Sequence, residues 1–186
     1  MFERKVDQFK NGIFTWFIGE VKDINDTKNL NRVRVHAYGY YDGVVNKADY
    51  PWATVMMPTT SASIKGNGGN HHLEVGSWVV GFFADGPSAQ DPIVMGSIAT
   101  QTNGTQDIPT ESSVDNKVYK SKAGHLIEID NTSGSEEIRI TNGKEVNGIK
   151  SYIHMREDGR IEIKSAKKVR IISVSYTHLR AHETES

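Results

Sequence analysis

The sequence predicts an all-β chain in two parts: a small five-stranded barrel or sandwich, then a run of short stacked strands. Three observations carry this. Five short apolar runs separated by glycine-rich turns fall within roughly ninety residues. No helical 3.6-residue pattern lies between them. From residue 119 onward, short alternating runs such as Leu126-Ile127-Glu128-Ile129-Asp130 and Ile161-Glu162-Ile163-Lys164 are separated by Xaa-Gly pairs.

Taken in order, residues 1–12 form a polar N-terminal arm ending in the turn pair Asn11-Gly12. Ile13 to Val21 is rich in aromatic and β-branched residues and reads as the first strand. Arg32 to Tyr38 alternates charged and apolar residues, with Val33, Val35 and Ala37 facing inward. Residues 41–50 hold at most a turn or short helix. Ala53 to Met57 is a third strand, stopped by Pro58, with Trp52 a candidate core anchor. Residues 59–70 are a Thr-, Ser- and Gly-rich loop, either a contact for a neighbouring subunit or a plain surface loop. Ser77 to Phe83 and Pro92 to Ile98 complete the five. Sharp bends and close crossings in a small barrel need glycines, for which Gly19, Gly39, Gly76, Gly81 and Gly96 are candidates.

Residues 99–118 are low in apolar content and read as a linker. The segment 119–172 has a shorter rhythm. Runs at 126–130, 138–140, 152–155, 161–164 and 169–171 are divided at Ser133-Gly134, Asn142-Gly143, Asn147-Gly148 and Asp158-Gly159. One apolar face per short strand cannot close a core alone. Stacking closes it, along one chain as a β-solenoid or between chains as an intertwined prism. Residues 173–186 lack this alternation and read as a non-native, adapter-derived tail, so the natural chain is expected to continue with further repeats.

Bulk properties narrow the function classes. Of 186 residues, 37% are hydrophobic and 24% charged, and the net charge is −1. A free nucleic-acid binder normally carries a basic surplus, because neutralising phosphates supplies much of its affinity. With zero cysteines, disulfides, thiolate nucleophiles and Cys-based zinc sites are excluded. The first residues lack the apolar stretch of a secretory signal.

Three segments carry a resemblance. They are Trp16-Phe17-Ile18-Gly19-Glu20-Val21 with Asn31-Arg32-Val33-Arg34-Val35; Tyr50-Pro51-Trp52-Ala53-Thr54-Val55 with Pro58 to Ser63 and Gly66-Asn67-Gly68-Gly69; and Val75 to Phe83 with Asp91-Pro92-Ile93-Val94-Met95-Gly96. Together they resemble the N-terminal OB-fold domain of the central spike and tail-lysozyme proteins of contractile-phage baseplates, and of VgrG-type spikes. Lys122 to Asp130 with Gly134 to Ile140 is similar to the start of the triple-stranded β-helix of those spikes. The resemblance implies an OB-like barrel over residues 13–98, a linker over 99–118 and the beginning of a β-helical stem over 119–172. It implies that the full-length protein is a homotrimer whose shared stem core is Ile127, Ile129, Ile138, Ile140, Ile153, Ile161, Ile163, Val169 and Ile171. It further implies a baseplate hub protein as partner, a place in the virion tail, and envelope puncture through a tip beyond this sequence. In the larger relatives a lysozyme domain lies between barrel and stem. Here about two dozen residues separate Ile98 from Gly124, far too few to bury a core around two catalytic carboxylates.

Candidate sites were weighed against plainer readings. Glu128 and Asp130 share one side of a strand, which reads as a solvated face rather than an acid–base pair. Glu136-Glu137 stand in no pocket that the sequence defines. His71 and His72 are adjacent, so on extended chain they face opposite ways and cannot chelate one ion. His36, His125 and His154 fall on expected exposed alternates. Gly66-Asn67-Gly68-Gly69 is followed by neither Lys-Ser nor Lys-Thr, so it is not a phosphate loop. The expectation is therefore no catalytic residue, cofactor or metal. Two rival functions remain: a peptidoglycan-degrading tail lysozyme, and an oligonucleotide-binding module using Lys22, Lys28, Arg32 and Arg34 beside Tyr38, Tyr40 and Tyr41.

Overall fold

In the computed structural model, residues 13–172 are described, and the chain divides into two compact units between Asp107 and Ile108. The expected N-terminal arm, 1–12, and the expected adapter-derived tail, 173–186, lie outside the described residues.

The first unit is a closed barrel. Its strands are β1 (Thr15–Asp23), β2 (Val33–Ala37), β3 (Trp52–Val55), β4 (Trp78–Phe83) and β5 (Pro92–Ile98), closing in the order β1-β2-β3-β5-β4. All neighbours pair antiparallel except β3 with β5. Closure removes free sheet edges and leaves a narrow interior. Period-2 alternation fills it: Phe17 and Val21 from β1, Val33, Val35 and Ala37 from β2, Ala53 from β3, Val79 and Phe83 from β4, and Val94 from β5 are all buried. Tyr41 and Tyr50 plug the interior from the β2–β3 connection, where Lys47–Asp49 makes one 3-10 turn capped by Asn46. The Tyr41 hydroxyl donates to the Ala89 carbonyl, and burial pushes its pKa far up.

Two glycines in the barrel strands are required by close approach. A Cβ on Gly81 would lie 2.2 Å from the Ile93 carbonyl oxygen and 2.6 Å from Phe17 Cζ. One on Gly19 would lie 2.5 Å from the His36 carbonyl oxygen. These are the points where β1 presses on β2, and β4 on β5.

Trp52 differs from its expected place in the core. Its neighbour Ala53 points inward, so alternation sends the indole outward, where Arg34 lies 4.5 Å and Arg32 5.3 Å from the ring centroid. Within residues 99–118, read as a linker, Gln101–Thr102 (β6) and Thr105–Gln106 (β7) form a small hairpin. Asn103 and Gly104 turn it with φ of 49° and 80°. Asp107 clasps it, accepting bonds from Thr100 and Thr102, which hold its carboxyl below the usual range.

The second unit is one antiparallel sheet in the order β12-β11-β10-β9-β8. Its strands are β8 (Asn116–Lys120), β9 (Leu126–Asp130), β10 (Glu137–Val146), β11 (Ile149–Met155) and β12 (Ile161–Lys164). Asn147-Gly148 makes the β10–β11 turn with φ of 51° and 75°, the geometry that matches strand twist. Two expectations are corrected here. Asn142-Gly143 lies inside β10, at a register shift between Thr141 and Glu145, and does not turn the chain. Gly143 is there because a Cβ would meet the Ala123 carbonyl at 2.2 Å, while its N–H donates to His125 Nδ1 at 3.1 Å. The 169–171 run is not a strand, so Val169 and Ile171 lie outside the sheet.

Candidate interaction surfaces

The stem sheet has two chemically opposite faces. Register aligns Tyr119, Ile127, Ile140, Ile153 and Ile163 in one row across five strands, and Lys117, Ile129, Ile138, Met155 and Ile161 in the next. The result, interrupted only at Lys117, is an apolar surface that the other described residues leave largely uncovered: Ile140 is 46% exposed and Ile163 60%. Seven of the nine expected stem-core residues stand on this face, namely Ile127, Ile129, Ile138, Ile140, Ile153, Ile161 and Ile163.

The opposite face is an ion-pair lattice. Arg139 lies between Glu128 and His154 in the register, and its guanidinium sits 5.0 Å from the Tyr152 ring centroid. His154 was expected on an exposed alternate; it is instead 2% exposed, because Glu137, Tyr152 and Glu162 close around it. Its Nε2 lies 2.6 Å from Glu137 Oε2 and its Nδ1 3.9 Å from Glu162. Glu162 in turn pairs with Arg156, whose hydrogen bonds hold that carboxyl below the usual range. Glu128 and Asp130 are likewise half-buried on this side rather than fully solvated, and Asp130 accepts from the Thr132 N–H and hydroxyl. Around His154 the charged side chains Glu128, Asp130, Glu137, Arg139 and Glu162 are better shielded than the isoleucines of the opposite face.

The barrel exterior is also two-sided. Outward rows on β1, β4 and β5 read Trp16–Phe82–Ile93, Ile18–Val80–Gly96 and Glu20–Trp78–Ile98. Phe14 extends this patch, its ring centroid 5.6 Å from that of Phe82. Trp16 is 57% exposed. The β2–β3 side carries Arg34 and His36, yet most of its polar groups are engaged within the chain, Arg34 Nε excepted. Arg32 is bidentate on Asp26, at 2.6 and 3.0 Å, and this pairing, with three backbone N–H bonds, holds the Asp26 carboxyl far below the usual range. Arg34 donates to the carbonyls of Lys47 and Tyr50. The hydroxyls of Tyr38 and Tyr40 donate to Glu20 and to the Trp16 carbonyl. Tyr41 is buried.

The residues weighed for chemistry are not brought together. His71 and His72 sit on the exposed 59–72 loop, where Ser61 links to Gly69 and Ile64 bridges Asn67. Among the described residues, no group of three or more His, Asp or Glu side chains has metal-binding geometry. The pKa shifts of Asp23, Asp26, Asp107, Glu111, Asp130, Asp158 and Glu162 are all downward, driven by hydrogen bonds and cations. A general acid working near neutrality needs the opposite shift. The shallow polar cleft beside Ser135 and Glu157 contains two arginines, both occupied: Arg156 by Glu162 and Arg160 by Asp158. The feature that sequence reasoning missed is the His154 lattice. The signal was present as Glu137, His154 and Glu162 on three neighbouring strands, but it becomes visible only once the register is known.

The barrel's closed five-strand order, with an all-β extension, defines a small OB-type module. The chain belongs to the family of the Gp5 N-terminal OB domain, whose model matches residues 34–166. It is 37% identical over 79 residues to the pre-baseplate central spike protein Gp5 of Enterobacteria phage T4, a stretch covering 38% of this chain. The match spans 14% of that relative's length.

Proposed function

We propose that this chain is a structural piece of a phage baseplate spike, without catalytic activity of its own. The barrel, residues 13–98, docks on a baseplate hub protein. Residues 119–172 begin a trimeric β-helical stem, joined to the barrel through 99–118. The stem core is made of Ile127, Ile129, Ile138, Ile140, Ile153, Ile161 and Ile163, with Val169 and Ile171 joining below β12. The assembly works in the virion tail, and contact with the host envelope is made by a tip past this stem.

One observation carries the reading. Ten residues of two aligned rows present a nearly continuous apolar sheet face that the described residues of a single chain leave largely exposed. A monomer gains nothing from such a face, whereas three copies bury it against one another. Zero-length cross-linking of the full chain followed by denaturing electrophoresis tests this. A three-chain band is expected, and its absence at micromolar concentration contradicts the stem assignment. Against the lysozyme alternative, the carboxyl shifts among the described residues run downward; against the oligonucleotide alternative, Arg32 is committed to Asp26 and Arg34 donates to main-chain carbonyls. A cell-wall clearing assay and a single-strand retention assay at low salt are both expected to be negative.

A further inference from the structure

We propose that Asn67 is a modification site: its side-chain amide is lost to the following Gly68 nitrogen through a cyclic imide, which leaves aspartate and isoaspartate in the 59–72 loop. The fold itself sets this Asn-Gly pair. Lys65 and Gly66, with φ of 50° and 80°, turn the chain back, and Asn67 closes the turn by exchanging backbone bonds with Ile64. Gly68 follows at φ 132°, where a Cβ would meet Ser61 Oγ at 2.4 Å and the Ser63 nitrogen at 2.9 Å. Glycine alone suits both demands. The same lack of a side chain opens its nitrogen to the neighbouring carboxamide. Asn67 and Gly68 are both exposed. Among the described residues, neither the Asn67 carboxamide nor the Gly68 N–H makes a hydrogen bond.

Attack requires rotation about the asparagine Cα–C bond, to bring the glycine nitrogen against Cγ. The other described Asn-Gly pairs resist it. Asn103 and Asn147 sit at left-handed φ inside two-residue hairpin turns, closed by Thr102 with Thr105 and by Val146 with Ile149. Asn142 Oδ1 accepts from the Lys144 N–H, and the Gly143 N–H is committed to His125 Nδ1. At Asn67 the rotation displaces a long 3.3 Å bond from the Ile64 N–H and the Ser61 hydroxyl on Gly69, both in an exposed loop. In the reaction the Gly68 nitrogen loses its proton and bonds to Asn67 Cγ. The Cγ–Nδ2 bond breaks, and the amide nitrogen takes up a proton and leaves as ammonia. Water then opens the imide. Addition at the side-chain carbonyl gives aspartate, and addition at the main-chain carbonyl gives isoaspartate, whose chain runs through Cβ and Cγ. Nothing is oxidised or reduced. Either product adds a negative charge to a chain of net charge −1, and isoaspartate lengthens the main chain where Gly68 packs on Ser61.

The full chain is held in mildly alkaline buffer, folded in one sample and in guanidinium in the other. Samples taken over time are digested with trypsin and a glutamate-specific protease. Residues 66–74, 75–111, 140–144 and 146–150 then carry the four described Asn-Gly pairs on separate peptides, and mass spectrometry follows conversion at each. In guanidinium the four are expected to convert at similar rates, since they share one dipeptide. In the folded chain Asn67 is expected to lead each of the other three by about tenfold, the protection that one or two hydrogen bonds give. A folded chain in which Asn103, Asn142 or Asn147 converts as fast as Asn67 overturns the proposal. Peptide 66–74 is expected to hold isoaspartate beside aspartate, separated by chromatography against the Asn67→Asp protein as standard. Aspartate alone means direct hydrolysis of the amide and overturns the route through Gly68.

Discussion

Ile140 stands at the centre of the stem face, flanked across the sheet by Ile127 and Ile153. It is 46% exposed in the single chain, so self-association can remove only that remainder from water. Full burial of such a side chain contributes about 1.5–3 kcal/mol. The fraction left to bury at Ile140 is therefore worth roughly 0.7–1.4 kcal/mol per chain, or about 2–4 kcal/mol for three chains. Ile140→Ala forfeits most of this and raises the overall trimer dissociation constant by roughly 30- to 1000-fold, at 1.4 kcal/mol per factor of ten. Ile140→Asp goes further, because association would strip water from three carboxylates in an apolar setting. Sedimentation velocity across a dilution series reads both variants. An Ile140→Ala protein that dissociates over the same range as the parent would refute the placement of this face at an interface.

Other consequences follow from the barrel and the electrostatics. Gly81→Ala drives a methyl into the Ile93 carbonyl and Phe17, and is expected to cost about 1–3 kcal/mol, seen as a lower barrel melting temperature in calorimetry. Asp26, Asp107 and Asp130 have folded pKa values below their unfolded ones. Their contribution to stability is therefore complete above the unfolded carboxylate range, near pH ~4, and is lost as pH falls through the folded values. Thermal melts should be flat near neutrality and fall in acid, and Asp26→Asn should lower the neutral-pH melting temperature while flattening part of the acid fall. His154→Leu leaves the half-buried Glu137 and Glu162 flanking an apolar side chain in place of the imidazole that pairs with them. Amide hydrogen exchange is expected to quicken across β10–β12 and not in the barrel.

Much of the barrel was legible because its strands end on strong signals. Pro92 to Ile98 coincides with β5, since Asp91-Pro92 opens it and the polar segment after Ile98 closes it. Inward Val33, Val35 and Ala37 followed from alternation alone. Trp52 misled because size suggested a core, whereas parity with Ala53 decided its side. Asn-Gly pairs were ambiguous in the same way: Asn147-Gly148 and Asn103-Gly104 turn the chain, while Asn142-Gly143 relieves crowding inside a strand. The stem's inverted burial could not be read locally. Alternation identifies two faces, but which of them is shielded depends on the Glu137–His154–Glu162 contacts between strands and on what meets the isoleucines.

The mass of the unaltered full chain in solution bears most directly on the central claim. Sedimentation equilibrium should give three times 20.7 kDa at micromolar concentration. A mass of 20.7 kDa maintained at every concentration would contradict the assignment of the isoleucine face to a shared stem core.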